Sequence, residues 1–480
     1  MLFNSIEYLL FLPIVLFLYW FVFGGDYKRQ NILIIIASYI FYGWWDWRFL
    51  SLIILSTVID YYCGKKIAES KYFKKKLYLS ISIISNLGIL MYFKYSGFFL
   101  DSLYEILGMV GYYSPQTWSL DIILPVGISF YTFQTMSYSI DIYRSKIFPT
   151  QDFFAFAFYV SFFPQLVAGP IERAGDMLKQ ITQNRETTWK ESVYALHLII
   201  WGLFKKVVVA DSLSIWVDRI FNSYELYGSF TLIVGVLFFS LQIYCDFSGY
   251  STIAIGTAKL FGINLIENFN YPYLARNITE FWKRWHISLS TWFKDYIFIP
   301  LGGSRVGPQK RIVNIFITFG VSGLWHGANM TFILWGIAHA FMYMINIIFT
   351  RSKKMINAPI SQNHLSTSMM KSINTIITFT FVSLAWVLFR SDSISDSVLF
   401  YLRLFGRINV SNELFLNIDQ IVTLGIILIS YSILGITNKK YSWDYINNGV
   451  IYYIIIDSII ISMIQLFGTY SNASFIYFQF

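Results

Sequence analysis

Long apolar runs, separated by short polar and basic segments, occur along the whole chain. A helix needs about 20 mostly apolar residues to cross a bilayer core of about 30 Å. The runs that reach or approach this length are residues 5–23, 31–45, 48–63, 77–93, 122–140, 153–168, 193–216, 228–258, 312–324, 330–350, 373–389, 418–437 and 449–467. The pattern predicts an all-α, polytopic integral membrane protein with roughly 10–12 transmembrane helices.

Three regions depart from this simple pattern. Residues 122–140 and 312–324 are too short or too broken to cross alone, so we interpret them as re-entrant or buried by neighbouring helices. Between Gly262 and Gln309, charged and amide side chains alternate with Phe, Tyr and Trp. This mixture predicts interfacial helices that dip into a cavity. Asn277 is expected to cap a continuous helix over residues 281–297.

Composition supports a lipid-facing surface. The chain is 56% apolar and 13% charged, whereas soluble domains are about 45–50% apolar and about 25% charged. Aromatic residues make up 20% of the chain, and Trp and Tyr favour the membrane–water boundary. The run over residues 8–23 follows no basic segment, so we expect a retained helix rather than a signal peptide. No linker or repeat is evident, which predicts one domain over residues 1–480.

The net charge of +9 would suggest a nucleic-acid partner in a soluble protein. Here the basic residues lie in short clusters between apolar runs, so the expected partner is the lipid bilayer. The clusters at residues 26–29 and 65–76 are separated by an even number of crossings, which predicts both in the cytoplasm and the N-terminus outside. Cys63 and Cys245 are too few for a disulfide framework or a Cys-based zinc site. We expect no metal and no bound cofactor.

His326 is the strongest candidate for catalysis among five histidines. It lies in Gly323-Leu324-Trp325-His326-Gly327-Ala328-Asn329, where small residues allow close approach of a helix or a substrate. An ionisable residue in such a membrane-embedded run is a functional candidate, and imidazole can remove a proton from a hydroxyl at neutral pH. Trp325 and Asn329 are expected to bind substrate or support His326.

His286 is the second candidate. On one helix, Trp282, His286 and Ser290 would share a face, and this face would line a reaction cavity together with Trp285. The alternative is an interfacial helix with basic anchors. His339 would lie about 20 Å along a continuous helix from His326, so it is not expected to share the site. His197 and His364 have no supporting constellation.

Acidic residues within apolar runs keep a different class of function open. Asp60, Asp141, Asp246 and Asp457 lie in or near these runs, as in a transporter or a proton relay. Asp246 is either the structural partner of a buried Arg or a direct part of the site. The chain carries no G-x-S-x-G elbow, no Walker A loop and no H-E-x-x-H helix.

At these residues the sequence resembles the membrane-bound O-acyltransferase (MBOAT) superfamily. Within it, the chain is most similar to the bacterial alginate O-acetyltransferase family of polysaccharide-modifying proteins. The resemblance spans the whole chain in order. The segments that carry it are residues 1–5, 42–44, 125–134, 163–171, 246–250, 268–273, 281–292, 301–305, 323–327 and 475–480.

The resemblance implies a ring of membrane helices around a thin centre, with a cavity that reaches in from each face. It implies that His326 matches the family's catalytic histidine and His286 its second histidine. The acyl donor is then a cytoplasmic thioester, acetyl-CoA, and the acceptor an extracytoplasmic polysaccharide. A partner of the SGNH-hydrolase type often completes transfer. Positive charge for the donor's phosphates is expected from Lys283, Arg284, Lys294 and Arg305, unless these are snorkelling interface anchors.

We therefore predict a multi-pass protein of the cytoplasmic membrane that transfers an acetyl group from acetyl-CoA to an extracytoplasmic polysaccharide. A variant of this hypothesis is transfer of D-alanine or another acyl group to teichoic acid, peptidoglycan or lipid. The alternative from another class is a membrane transporter.

Overall fold

The computed structural model describes residues 1–111, 122–355, 364–406, 418–441, 450–469 and 475–476. These residues form helices and connecting turns, and no β-strand occurs among them. The chain divides into two compact units, Met1–Ile199 with Ile253–Ile266, and Ile200–Thr252 with Glu267–Phe480. That the whole chain is one domain stays a prediction.

The first unit is built from short and medium-length helices. They are α1 (Ile6–Phe17), α2 (Tyr27–Asp46), α3 (Leu50–Glu69), α4 (Tyr72–Leu90), α5 (Ser96–Met109), α6 (Ile128–Tyr143), α7 (Phe153–Ser161), α8 (Phe163–Leu166) and α9 (Ala174–Ile181). Helices α10 (Trp189–Leu203) and α12 (Ser229–Leu260) contribute residues to both units.

The second unit contains the remaining helices. They are α11 (Asp211–Asn222), α13 (Ile278–Trp282), α14 (Ile287–Phe293), α15 (Pro308–His326), α16 (Met330–Met355), α17 (His364–Arg390), α18 (Ile394–Phe405), α19 (Ile418–Tyr441) and α20 (Val450–Phe467). Four π-helical segments extend neighbouring α-helices, at Leu18–Val22, Met91–Tyr95, Phe204–Ala210 and Lys294–Phe298.

The helices have apolar outer surfaces that suit a lipid environment. Six helical stretches of the described residues are long and apolar enough to span a membrane: Tyr72–Met109, Trp189–Asn222, Ser229–Leu260, Met330–Phe349, Met369–Arg390 and Val450–Phe467. Many of their exposed side chains are apolar, as at Ile451 and Ile454, which are 72% and 56% exposed. The prediction of an all-helical, multi-pass membrane protein is confirmed, whereas the number of crossings stays a prediction.

The two short apolar runs have different outcomes. Residues 122–140 supply α6, which begins after Gly127 at φ 74° and buries nearly every side chain, as expected for a helix covered by its neighbours. Residues 312–324 belong to the longer, 19-residue helix α15, and whether this run is re-entrant or covered by neighbouring helices stays a prediction. The helix begins earlier because Pro308 favours a first helical turn and Lys310 and Arg311 continue it beyond the apolar run.

A buried carboxylate holds three helices of the first unit together. Asp60 on α3 is 0% exposed, and it accepts hydrogen bonds from Ser82 and, at 2.7 Å, from Nδ2 of Asn86, both on α4. Ser139 on α6 donates to the same carboxylate at 3.2 Å. Neutral donors from two neighbouring helices therefore satisfy a charged group that would otherwise be costly to bury.

Glu172 gives the first unit a pH-dependent stability. Its side chain is buried and accepts a hydrogen bond from the backbone N–H of Ile266 at 2.6 Å. Burial raises the pKa of this carboxyl from 4.5 to about 7. Because the folded protein holds the Glu172 proton more tightly than the unfolded chain, the free energy of unfolding falls as pH rises between 4.5 and 7.

We expect Glu172→Gln to remove up to about 3 kcal/mol of this pH dependence, because glutamine keeps the acceptor oxygen and cannot titrate. Thermal unfolding of the detergent-solubilised protein between pH 5 and 8 measures it. Glu191→Gln is the matched control, since the Glu191 carboxylate is only partly buried and accepts hydrogen bonds from the N–H and the hydroxyl of Thr188. An unchanged pH dependence in Glu172→Gln would contradict the assignment.

Candidate active site

The His286 segment is two short helices joined by a turn. Asn277 caps α13 as expected, and its side-chain oxygen accepts from the Glu280 N–H at 2.9 Å. The helix then ends at Trp282, and His286 takes the left-handed conformation at φ 43° before α14 begins. The predicted continuous helix over residues 281–297 is therefore wrong, because the left-handed backbone at His286 interrupts it.

The preceding extended chain fixes this turn. The carbonyl oxygen of Asn268 accepts from the Ile287 N–H at 2.9 Å, and the side-chain oxygen of Asn268 accepts from the Ser288 hydroxyl at 2.6 Å. The Asn270 N–H donates to the carbonyl of Arg284 at 2.9 Å. A non-glycine residue with positive φ is uncommon and often marks a functional site. The turn buries His286 completely.

A sharp hairpin between α15 and α16 places His326 and His339. Helix α15 ends at His326, and Asn329 caps α16 by accepting from the Thr331 N–H at 3.0 Å. Gly323 and Gly336 let the helices touch backbone to backbone, since an added Cβ would collide with the carbonyl oxygens of Phe332 and Phe319. The premise that His326 and His339 share one continuous helix is wrong, and the hairpin brings them together.

Three histidines alternate with two indoles in the second unit. The Trp325 ring centroid lies 6.1 Å from that of His286 and 4.9 Å from that of His326. The Trp335 centroid lies 5.0 Å from that of His326 and 4.8 Å from that of His339. Each of these five side chains is at most 4% exposed. We call this set the aromatic site cluster.

Water is largely excluded from the cluster, and this affects the protonation of His286. Burial lowers the pKa of its imidazole to about 3, so the ring is neutral at pH 7. A neutral imidazole offers one N–H donor and one acceptor lone pair. The Phe247 ring packs edge-on against it, with the centroids 4.6 Å apart.

A cleft of about 430 Å³ adjoins the cluster. Lys283, Ser290 and Lys294 line it, and their role in donor binding stays a prediction. The predicted helical face shared by Trp282, His286 and Ser290 is interrupted, because His286 precedes α14 and Ser290 lies within it. Ser322 on α15 also lines the cleft, one turn before His326. Phe293 belongs to the cleft wall, and its ring centroid lies 6.5 Å from that of Trp325. The cleft wall therefore borders the aromatic site cluster at Phe293.

The other predicted binding residues lie around this region. Arg284 pairs with Glu280 at 2.7 Å, and Arg305 is exposed on the turn that follows Ser304; neither is among the residues that line the cleft. Trp285 stacks on Phe281 with the centroids 5.6 Å apart, beneath the turn that presents His286.

Asp246 belongs to a buried ion cluster. Its partner is Lys206 rather than an Arg: Nζ of Lys206 lies 2.8 Å from one carboxylate oxygen each of Asp211 and Asp246. The second oxygen of Asp246 accepts from the Ile476 N–H at 2.8 Å. Lys206 lies in the π-helical segment Phe204–Ala210. Of the resemblance segment 475–480, residues 477–480 lie outside the described residues.

Trp335 and His339 are members of the cluster that the apolar pattern of the sequence did not predict. The signal was present in Gly327-Ala328-Asn329, where glycine and a capping residue interrupt the apolar pattern and predict a turn. After that turn, Trp335 and His339 are four residues apart and so share the face of α16 that returns towards α15.

Comparison with known proteins agrees with this architecture. The model of the membrane-bound O-acyltransferase family matches residues 39–386. The chain is 38% identical to a probable alginate O-acetylase AlgI of Pseudomonas aeruginosa, over 85% of this chain and 75% of the relative. The chain belongs to the membrane-bound O-acyltransferase family.

Relatives within the family differ in the group they transfer. A Helicobacter pylori peptidoglycan O-acetyltransferase is 33% identical over 83% of this chain and 78% of its own length. A Bacillus subtilis teichoic acid D-alanyltransferase is 26% identical over 55% of this chain and 68% of its own. As a member of this family, the protein is a membrane-embedded O-acyltransferase.

We expect Lys206→Met to lower the free energy of unfolding by about 3–5 kcal/mol, because it leaves two buried carboxylates without their cation. Lys205→Met is the matched control, since Lys205 donates only to the neutral oxygens of Ser248 and Thr252. Denaturation in detergent compares the two variants. Adding Asp211→Asn and Asp246→Asn to Lys206→Met should restore most of the lost stability. Equal losses in the two lysine variants would contradict this account.

Proposed function

We propose that this acyltransferase takes an acetyl group from acetyl-CoA on the cytoplasmic side and passes it across the membrane for O-acetylation of an extracytoplasmic polysaccharide. The observation that supports the proposal most directly is the pair His286 and His326 on either side of Trp325, next to a cleft with two lysines. The alginate and peptidoglycan O-acetylating relatives favour an acetyl group and a polysaccharide acceptor.

His326 acts as the general base in this proposal. Its imidazole removes the proton of the acceptor hydroxyl while the oxygen attacks the thioester carbonyl carbon. A tetrahedral intermediate forms, the carbon–sulfur bond then breaks, and the thiolate leaves and takes the proton from the imidazolium. The products are an ester and free CoA. Neutral His286 positions or polarises the donor from the other side of Trp325.

The cleft is the site that suits the donor. Its wall combines apolar rings, which suit the acyl-pantetheine chain, with hydroxyl groups at Ser290, Ser304 and Ser322. Lys283 and Lys294 are exposed and supply positive charge for phosphate oxygens. The acceptor is a bulky polymer, and it reaches the protein from outside the membrane. In this topology the N-terminus also lies outside. An SGNH-type partner then completes transfer to the polysaccharide.

D-alanyl transfer to teichoic acid is the second candidate, because the Bacillus subtilis relative carries that activity in its name. The two differ in the donor, since D-alanylation needs a carrier-protein thioester. A transporter predicts solute flux without cleavage of a thioester. Purified protein in proteoliposomes distinguishes the three by release of free thiol from acetyl-CoA, from a D-alanyl carrier, or from neither.

We expect His326→Ala to abolish O-acetylation, with a loss of at least about 100-fold because the general base is missing. Ester content of the extracellular polysaccharide in intact cells measures this at matched protein level. His197→Ala is the control, because His197 and His326 are both 3% exposed and His197 lies in α10. Normal acetylation in His326→Ala would overturn the assignment.

We expect Lys283→Gln and Lys294→Gln each to raise KM for acetyl-CoA several-fold with little change in kcat, because each removes an attractive charge near the donor phosphates. The effect should shrink at high salt. Arg305→Gln is the comparison, since Arg305 lies outside the cleft lining. Equal KM values in all three variants and the wild type would contradict a phosphate-binding role.

A further inference from the structure

Three rings of the second unit form a compact triangle beside the cleft. The centroids of Trp335 and His339 are 4.8 Å apart, those of Trp282 and His339 are 5.1 Å apart, and those of Trp282 and Trp335 are 5.8 Å apart. Trp282 lines the cleft, and Trp335 also contacts His326 at 5.0 Å. The triangle therefore connects the cleft wall to the proposed base.

The ring nitrogens of this triangle lack hydrogen-bond partners. Trp335 and His339 are 0% exposed and Trp282 is 9% exposed, and no group among the described residues accepts from or donates to their four ring nitrogens. Buried indole N–H groups usually find an acceptor, and an unsatisfied one costs free energy. Phenylalanine at these positions would carry no unsatisfied polar group.

A neighbouring indole outside the triangle shows the usual arrangement. Trp386 stacks on Trp335 with the centroids 5.6 Å apart, and its N–H donates to the Tyr273 hydroxyl at 3.2 Å. Tyr273 in turn donates to the carbonyl of Ser240 at 2.6 Å. The fold thus satisfies an indole N–H where its role is to hold the cluster together, and leaves the triangle unsatisfied.

The unmatched groups are chiefly donors. An indole nitrogen only donates, and a neutral imidazole adds one further N–H. The matching ligand atom is an acceptor that would reach the triangle at Trp282, which lines the cleft. A carboxylate or phosphate would be costly to bury among these apolar rings. A neutral carbonyl oxygen fits this environment best.

We propose that Trp282, Trp335 and His339 form a binding site for the carbonyl oxygen of the acyl thioester. This inference rests on the proposed function, in which acetyl-CoA occupies the cleft. As the acceptor oxygen attacks, the carbonyl oxygen gains negative charge, which the N–H groups stabilise until the carbon–sulfur bond breaks. His326 holds the hydroxyl proton during this step and returns it to the thiolate.

The experiment compares acetyl-CoA with free CoA, which lacks the carbonyl. Affinity of the detergent-solubilised wild type, Trp282→Phe, His339→Phe and the control Trp386→Phe is measured for both ligands, together with the acetyl-transfer rate and Tm. We expect Trp282→Phe and His339→Phe to lose about tenfold of the preference for acetyl-CoA and about 100-fold in rate. Their Tm should fall by less than that of Trp386→Phe, because they remove polar groups that have no partner.

Trp386→Phe should show the opposite behaviour, with a lower Tm because Tyr273 loses its partner and with the acetyl-CoA preference retained. If Trp282→Phe and His339→Phe keep both the preference and the rate, the carbonyl site is overturned while the proposed function stands. If the wild type binds neither acetyl-CoA nor CoA and hydrolyses no thioester, the proposed donor is wrong and the carbonyl site falls with it.

Discussion

The backbone contact between α15 and α16 is the constraint on which the candidate site depends. Gly323 and Gly336 let the two helices approach until only hydrogen fits between them, and the tight turn after His326 makes the pair antiparallel. The hairpin also places Trp335 in edge-to-face contact with both His326 and His339, with ring centroids 5.0 Å and 4.8 Å apart. A small displacement of either helix would move these rings, because protein interiors are close-packed and transmit small shifts.

Much of the fold could be predicted from the sequence, because lipid requires long apolar runs that are visible without any structure. The sequence also predicted the helix cap at Asn277 and the close helix contact at Gly323. Two features of the site were not. A prediction from periodicity assumes a regular backbone, so it continued one helix through His286. The left-handed conformation of His286 interrupts that helix. The prediction also treated His326 and His339 as distant, because separation along a helix was taken for separation in space.

The two units bury charge in different ways. Asp60 is surrounded by hydroxyl and amide donors from neighbouring helices, whereas Lys206 neutralises carboxylates directly at Asp211 and Asp246. Both arrangements give a structural role to acidic residues that would otherwise suggest a proton pathway. Asp60 and Asp246 therefore no longer support the transporter hypothesis, and neither arrangement accounts for the histidines of the aromatic site cluster.

The π-helical turn at Phe204–Ala210 has a consequence for how the chain tolerates insertions and deletions. A π turn holds one residue more than an α turn, and here it allows the adjacent Lys205 and Lys206 both to bind groups on α12. Removing a single residue from this turn would restore α-helical register and rotate the following helix by about 100°. Asp211 would then leave Lys206, so this stretch should have a fixed length among functional relatives even where its residue types vary.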